Sequence, residues 1–112
     1  MKLYCSLYWD PQLEGKEKKV LKKILHNKWQ IEKYLICLTR NESNHLEIFQ
    51  SALLLQKKFA DSEKLLVGIA GSYQGALEIV EKITQEVYDN TKNVDIRNYI
   101  LNKQNEFEKE NV

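Results

Sequence analysis

The sequence predicts an α/β fold with a small, three-stranded and mostly parallel sheet. Three apolar segments have the length of strands, and each is followed by a segment with helical periodicity. The resulting order is β-α-β-α-β-α-α, and such alternation favours parallel strands joined by helical crossovers, with the helices packed on the sheet. The alternative is an α+β arrangement with one antiparallel strand. We expect a single α/β domain over residues 1–112, because this length suits one compact core.

The first unit begins with a strand-like segment, KLYCSLYW, at residues 2–9. Its side chains alternate, and one of the two sets is entirely apolar: Leu3, Cys5, Leu7 and Trp9. The other set contains lysine, serine and two tyrosines, so we place this strand at an edge of the sheet. An exposed edge with tyrosines could pair with another copy of the chain, and a homodimer is therefore one expectation. Asp10 and Pro11 end the strand.

A lysine-rich amphipathic helix is predicted after Gly15, with Val20 and Ile24 among its apolar positions. Residues 16–28 contain six lysines and one glutamate, whereas residues 78–112 contain eight acidic and five basic residues. The net charge is only +1, so the overall charge favours no class of partner. The basic face itself could contact nucleic-acid phosphates or an acidic protein surface. Its lysines are Lys16, Lys18, Lys19, Lys22 and Lys23.

The second unit combines a continuous apolar run with a predicted long helix. Residues 34–38, YLICL, indicate a strand that is covered on both faces. The polar cluster NESN follows, and Asn44 with Glu47 resembles a capping box. Residues 45–59 then carry apolar side chains at helical spacing, so we predict a largely buried helix there.

The third unit and the C-terminal segment follow the same logic. Residues 65–70, LLVGIA, predict another buried strand, and Ser72 is the predicted N-cap of the helix after it. A fourth, shorter helix is predicted to begin at Asp95 as its N-cap and to end near Asn102. The polar residues beyond it, about 103–112, are expected to form a frayed tail.

A ligand site is expected where the strands of the predicted parallel sheet end, since ligands bind beside the carboxyl ends of such strands. This rule gathers three loops at one edge of the sheet. The candidate ligand-binding residues are Asp10, Arg40, Asn41, His45, Gly71, Ser72 and Tyr73. A phosphate-containing or other small anion could be held by backbone N–H groups at the start of the third helix, with Arg40 nearby.

The glycines of this region match no nucleotide-binding motif. Gly68, Gly71 and Gly75 do not have the G-x-G-x-x-G spacing, and no lysine precedes Ser72 as a Walker loop requires. The alternative is a structural role for all three. Gly68 would allow a neighbour to approach the strand, Gly71 would supply an unusual backbone angle, and Gly75 would let the helix pack closely.

No complete catalytic or metal-binding motif is present in the sequence. Cys5 lacks the glycine-rich loop and the arginine that a catalytic thiol needs. His26 and His45 have no partner at metal-ligand spacing. We therefore expect no metal and no cofactor, and a non-enzymatic interaction or accessory module rather than an enzyme. Anion binding at the strand ends is the first alternative, and nucleic-acid binding through the lysine-rich helix is less favoured.

The cysteines and the apolar segments also predict a location. Cys5 and Cys37 fall inside predicted strands, where buried free thiols are common, and two cysteines are too few for a disulfide framework. No segment has the features of a signal peptide or the length of a membrane span. We expect a cytoplasmic protein with no membrane partner. The abundance of lysine, asparagine, isoleucine and glutamate is typical of an AT-rich genome, and we expect a bacterial source.

Overall fold

The computed structural model describes residues 1–26, 33–39, 46–60 and 64–111. These residues form four strands and four α-helices. The strands are β1 (Lys2–Trp9), β2 (Tyr34–Leu38), β3 (Leu46–Gln50) and β4 (Leu65–Ala70). The helices are α1 (Glu17–Leu25), α2 (Lys57–Ala60), α3 (Tyr73–Thr91) and α4 (Ile96–Glu110). Short 3₁₀ segments lie at Pro11–Leu13 and Ser51–Leu55.

The strands form one mixed sheet in the order β1-β4-β2-β3. β1 pairs in parallel with β4, whereas β2 is antiparallel to both of its neighbours, β4 and β3. The fold is therefore of the α+β class. The prediction of a three-stranded, mostly parallel sheet is corrected by the fourth strand and by the two antiparallel pairings. The position of β1 at an edge of the sheet is confirmed.

The fourth strand comes from the segment that was predicted to be the second helix. β3 pairs with β2 residue by residue, from Leu38 opposite Leu46 to Tyr34 opposite Gln50. The helix prediction is wrong here because a short apolar run fits a strand and a helix equally well by periodicity. Pairing with β2 decides between them, since it joins two neighbouring segments of the chain in a hairpin. Asn44 of the predicted capping box lies outside the described residues.

Apolar layers cover both faces of the sheet, so the structure has helices on either side of it. Successive residues of β2 point to opposite layers, with Leu35 and Cys37 in one and Ile36 and Leu38 in the other. One layer is completed by α3 and α4 through residues such as Ile79, Ile83 and Ile100. The other is completed by α1 and the two 3₁₀ segments through residues such as Val20, Leu13 and Leu54. The expectation that β2 is covered on both faces is confirmed.

The other helix predictions agree with the structure except at one end. The Ser72 hydroxyl accepts a hydrogen bond from the Gly75 amide, and the Asp95 carboxylate accepts one from the Asn98 amide, so both predicted N-caps are confirmed. The fourth helix was predicted to end near Asn102, whereas α4 extends to Glu110. The predicted polar tail is therefore largely helical. None of the described helices is both long and apolar enough to cross a membrane.

Candidate functional site

The sheet topology decides which of the predicted loops lie together. Because β1 and β4 are parallel, Asp10 and Gly71 follow strands that end at the same side of the sheet. β2 runs the other way: its last residue, Leu38, lies opposite Leu65, the first residue of β4. The loop after β2 thus begins at the opposite end of the sheet. The expectation that three loops converge at one edge fails because it assumed that all three strands were parallel.

The predicted ligand-binding residues fall into two groups: those that the structure describes lie at one end of the sheet, and the others lie outside the described residues. Asp10, Gly71, Ser72 and Tyr73 lie together at the end of β1 and β4. Thr39, the last described residue after β2, accepts a hydrogen bond at its carbonyl from the Arg97 guanidinium of α4, at the opposite end of the sheet. The remaining candidates, Arg40, Asn41 and His45, lie outside the described residues.

Asp10 is the centre of the polar group that the structure does assemble. Its side chain is buried, with 4% of the residue exposed. One carboxylate oxygen accepts a hydrogen bond from the Gln12 amide at 3.0 Å, and the other accepts one from the Gly71 amide at 3.1 Å. The Asp10 amide donates to the Ile69 carbonyl at 3.1 Å, which fixes the residue against β4. This carboxylate therefore ties the turn after β1 to the turn after β4.

The same carboxylate lies against the first turn of α3. A Cβ atom placed on Gly75 would stand 2.2 Å from the Asp10 Oδ2 atom, so no residue larger than glycine fits there without displacing Asp10. A negative charge is favourable at the N-terminal end of a helix, where amide groups lack partners within the helix. The Asp10 side chain thus occupies the place beside Ser72 where an external anion was expected to bind.

Close contacts explain two of the three glycines around this turn, Gly68 of β4 and Gly75 of α3. A Cβ atom on Gly68 would lie 3.1 Å from the Ile79 side chain and 3.3 Å from the Tyr8 carbonyl oxygen, as the sequence predicted for a strand that a neighbour approaches. The unusual backbone angle predicted for Gly71 is not found. Among the described glycines, only Gly15 has a positive φ. Gly75 is required by Asp10 rather than by packing on the sheet.

Tyr73 opens α3 and faces outward. Its ring is 54% exposed and makes an edge-on contact with Tyr34, with 5.8 Å between the ring centroids. Leu77 follows four residues later, on the same flank of α3, and is 41% exposed. The two side chains leave exposed apolar surface on one flank of α3, where Tyr73 contacts Tyr34 of β2.

The predicted basic patch is present on α1. All five lysines, Lys16, Lys18, Lys19, Lys22 and Lys23, are exposed, whereas Val20 and Ile24 on the opposite side of the helix are buried. No ion pair joins these lysines to another residue in the part of the chain that the structure describes. The patch is therefore a solvated cationic surface.

The edge of the sheet formed by β1 is covered by α4, and we call it the closed edge. The Cys5 amide donates to the side-chain carbonyl of Gln104 at 2.8 Å. Gln104 is 8% exposed, and one turn further on Glu108 forms an ion pair with Lys2 at 3.9 Å. Sequence patterns did not predict this contact, because Gln104 lies in the polar segment that was expected to fray.

Tyrosines fill the space between the closed edge and the helices. Tyr4 and Tyr8 of β1 stack with 6.3 Å between their ring centroids, and Tyr4 is only 2% exposed. The Glu86 carboxylate accepts hydrogen bonds from the Tyr8 hydroxyl at 2.6 Å and from the Tyr99 hydroxyl at 2.9 Å. The face of β1 that was predicted to be half polar is therefore mixed: Tyr4 is buried and Tyr8 is half-buried, whereas Lys2 and Ser6 are exposed.

This environment raises the pKa of three of the tyrosines. Burial raises the pKa of Tyr4 well above the usual range, and burial together with the hydrogen bond to Glu86 does the same for Tyr8. Burial and the hydrogen bond to Glu86 also raise the pKa of Tyr99. The Tyr8 and Tyr99 hydroxyls, both bonded to Glu86, support the closed edge, whereas the buried Tyr4 hydroxyl has no hydrogen-bond partner among the described residues.

The opposite edge, formed by β3, has no such cover within the described part of the chain, and we call it the open edge. The Ser51 amide donates to the Lys33 carbonyl at 3.0 Å, which makes 33 and 51 a hydrogen-bonded pair of the antiparallel ladder. Since such pairs alternate along a ladder, Glu47 and Phe49 also bond to β2. The backbone groups of Leu46, Ile48 and Gln50 then point away from the sheet. No described residue pairs with that outer side of β3.

The cysteines and acidic residues form no metal site within the described ranges. No three His, Cys, Asp or Glu residues there lie close enough together to hold a metal ion. Cys37 is fully buried in β2, and burial raises the pKa of its thiol to about 12. Cys5 is half-buried on β1 beside the carbonyl of Lys103. Both cysteines are free thiols inside strands, as the sequence predicted.

The geometry therefore separates two kinds of polar surface. At the end of β1 and β4, charged and backbone groups bond to one another, and Asp10 fills the helix terminus. At the open edge, backbone donors and acceptors face outward beside exposed apolar side chains. No protein-family model, curated protein or solved structure matches the chain.

Proposed function

We propose that this chain is a non-enzymatic protein-interaction module that binds an extended segment of a partner protein along the open edge. The observation that carries the proposal is the outward direction of the backbone groups of Leu46, Ile48 and Gln50. A row of unpaired N–H and C=O groups is a template on which another strand can pair. Addition of a strand to such an edge is a common mode of peptide recognition, in which the main chain supplies affinity.

Side chains beside the open edge would supply specificity. Leu46 and Ile48 are half-buried on the α3 side of β3, and Tyr73 and Leu77 are exposed on α3. Phe49 on the other side packs against Phe59, with 5.0 Å between the ring centroids. A bound strand would place alternate side chains on these two faces. A partner segment with apolar residues at every second position fits this surface best.

Binding of a small anion at the Ser72 turn remains the first alternative. Ser72 and the start of α3 support it, since helix N-termini attract negative charge. The Asp10 carboxylate counts against it, because an anion would have to displace that side chain or approach its negative charge. Asp10 and the Gly71 amide already satisfy each other at 3.1 Å. We rank this alternative below strand binding for that reason.

Nucleic-acid binding is a second candidate function, and one observation favours it. The five lysines of the basic patch are exposed and are not neutralised by ion pairs with other described residues. Contacts with phosphates would use such a surface without reading sequence. Neither an arginine nor an aromatic residue lies among the lysines, which places this function behind strand binding.

We also propose that the protein is cytoplasmic, since free cysteines are usual there.

Selection from a random peptide display library against the full chain tests the proposed function. We expect enriched peptides to alternate apolar and polar residues. A synthetic copy of an enriched peptide is then titrated into the isotope-labelled protein and followed by NMR. The largest changes in amide chemical shift should occur at Leu46, Ile48 and Gln50. The Gln50→Pro variant removes one outward amide of β3, and it should bind the same peptide more weakly than Gln50→Ala, which keeps that amide.

Two results would contradict the proposal. The library could yield no peptide that binds the folded chain. Alternatively, the enriched peptides could shift the amides of α1 or of Gly71 and Ser72 instead of those of β3. The first result would mean that the folded chain binds no extended peptide. The second would mean that peptides bind at the basic patch or at the turn that contains Gly71 and Ser72.

A further inference from the structure

The open edge is self-complementary, and this identifies a partner for it. We propose that β3 pairs antiparallel with β3 of a second copy of this chain, with Ile48 opposite Ile48 of the second copy. The inference rests on the proposed function and names the partner for the same site. The resulting dimer has an isologous interface, in which the same surface is used by both chains.

The register follows from the backbone directions on β3. The residues whose amides and carbonyls face outward are Leu46, Ile48 and Gln50. When Ile48 faces its own copy, Leu46 lies opposite Gln50 of the second copy, and Gln50 lies opposite its Leu46. The two Ile48 residues then exchange two backbone hydrogen bonds, and each Gln50 amide meets the Leu46 carbonyl of the other copy. The Gln50 carbonyl is at the N-cap of the 3₁₀ segment Ser51–Leu55 and is not counted. A shift by one residue would place outward groups opposite groups that already bond to β2.

Charge complementarity supports the same register. In this pairing, Glu47 lies opposite Phe49 of the second copy, on the side of the sheet that faces α1. The Lys64 ammonium stands over the Phe49 ring of its own chain, 5.3 Å from the ring centroid. Lys64 of the second copy therefore approaches Glu47, and the two-fold symmetry forms this contact twice. On the other side of the sheet, the apolar Ile48 side chains meet each other.

The closed edge excludes the alternative dimer through β1. A strand that approached Cys5 would have to displace the Gln104 side chain, which accepts the Cys5 amide bond at 2.8 Å. It would also meet α4, which packs along β1. The tyrosine-bearing edge that the sequence suggested for self-association is thus the one that α4 covers.

Sedimentation velocity of the full chain tests the inference, over a range from about 10 µM to about 1 mM, because an interface of one strand pair is small. We expect the mass to rise with concentration from 13.3 kDa to twice that value. Gln50→Pro should remain monomeric, because its φ of −76° suits proline and the ring replaces an outward amide hydrogen. Gln50→Ala is the matched control and should dimerise like the wild type.

A charge exchange provides a second test that does not depend on proline. Glu47→Lys and Lys64→Glu should each weaken the dimer about tenfold, since each replaces two attractive contacts by repulsive ones. The double variant should restore most of the affinity. Circular dichroism of each variant confirms that it folds.

The outcomes separate this inference from the function on which it rests. A wild-type chain that stays monomeric throughout overturns the inference, as does a dimer that Gln50→Pro and the charge exchange leave unchanged. If selected peptides still bind along β3 of a monomeric chain, the proposed function stands and only the second copy is excluded as the partner. If the peptides bind elsewhere, the proposed function fails whatever the mass.

Discussion

The two edges of the sheet differ in whether their outward backbone groups are covered. At the closed edge, the Cys5 amide bonds to Gln104, and α4 lies along the strand. At the open edge, the outward groups of β3 have no backbone partner among the described residues. Proteins usually protect sheet edges with charges, prolines or covering elements, because bare edges associate. An edge left bare beside exposed apolar side chains is therefore where an interaction is expected.

A second contrast is between the polar groups at the end of β1 and β4 and those of the open edge. Asp10 follows β1 and is bonded to the turn after β4, so the end of this side of the sheet is fixed internally. The helix terminus that resembled an anion site from the sequence is filled by the chain itself. The glycine turn before α3, which attracts attention by residue type, makes close contacts with Asp10 of the same chain. The proposed interaction surface lies instead in β3, whose residues belong to no binding or catalytic motif.

The largest effect is expected where Asp10 meets α3. Gly75→Ala should lower the free energy of unfolding by about 2–4 kcal/mol, because the new Cβ overlaps the Asp10 carboxylate. Asp10→Ala should lower it by about 1.5–3 kcal/mol through the lost charged hydrogen bonds. Chemical denaturation of the double variant should show less destabilisation than the sum, since alanine removes the overlapping atoms.

Asp10→Asn provides the control for that experiment. Asparagine keeps the size of the side chain, so Gly75→Ala should remain as destabilising in this background as in the wild type. Additive effects of Asp10→Ala and Gly75→Ala would show that the Asp10 carboxylate does not lie against α3. Asp10 would then not connect the end of β1 to this helix.

A smaller loss of stability is expected when the cover of the closed edge is removed. Gln104→Ala leaves the Cys5 amide without its side-chain acceptor and should lower the free energy of unfolding by about 1–2 kcal/mol. The neighbouring Asn105 is exposed, and Asn105→Ala should change stability by less than about 0.5 kcal/mol. Denaturation curves measure both variants. Equal stability of the two would mean that α4 does not protect β1.

Alkaline pH should gradually lower the free energy of unfolding through the tyrosines beside the closed edge. The raised pKa values of Tyr4, Tyr8 and Tyr99 mean that the unfolded chain releases these protons before the folded chain does. Their stabilisation is fully present below about pH 10 and is lost above it, by about 1 kcal/mol per pH unit for the buried Tyr4. Unfolding at several pH values checks this, with Tyr8→Phe reducing the dependence. Unchanged stability between about pH 9 and pH 11 would argue against the tyrosine cluster.

Thiol labelling should detect whether the open edge remains folded. Cys37 pairs with Glu47 of β3 and is fully buried, and its pKa of about 12 keeps it protonated. At neutral pH it should react only as fast as the chain unfolds, whereas the half-buried Cys5 should react sooner. Mass spectrometry of labelled peptides separates the two sites. Rapid labelling of Cys37 in the native protein would indicate that β3 separates from β2 and is no edge for binding.

The sequence predicted the elements that depend on local patterns. Periodicity and capping chemistry identified β1, β2, β4, α1, α3, the start of α4 and the N-caps Ser72 and Asp95. β3 was missed because five residues are too few for periodicity to distinguish strand from helix. The direction of β2 was also missed, since it follows from pairing with that unrecognised strand. An error in one short element thus moved a predicted loop to the other end of the sheet.

The site was predictable only in part for the same reason. Asp10, Ser72 and Gly71 were placed together because the strands before them are parallel, and that part of the reasoning holds. That Asp10 would fill the helix terminus depends on distances between loops, which sequence spacing does not contain. The covering role of Gln104 depends on how α4 lies across β1, ninety-nine residues from Cys5. The open edge follows only from the strand order.

Amide hydrogen exchange in the dilute, monomeric chain compares the two edges most directly. We expect the Leu46, Ile48 and Gln50 amides to exchange rapidly while those of Glu47, Phe49 and Cys5 are protected, since only the first three point outward from the sheet. Protection of the Ile48 amide should then rise with protein concentration. Slow exchange of Ile48 at low concentration, equal to that of Cys5, would contradict the account, because the edge of β3 would already be covered.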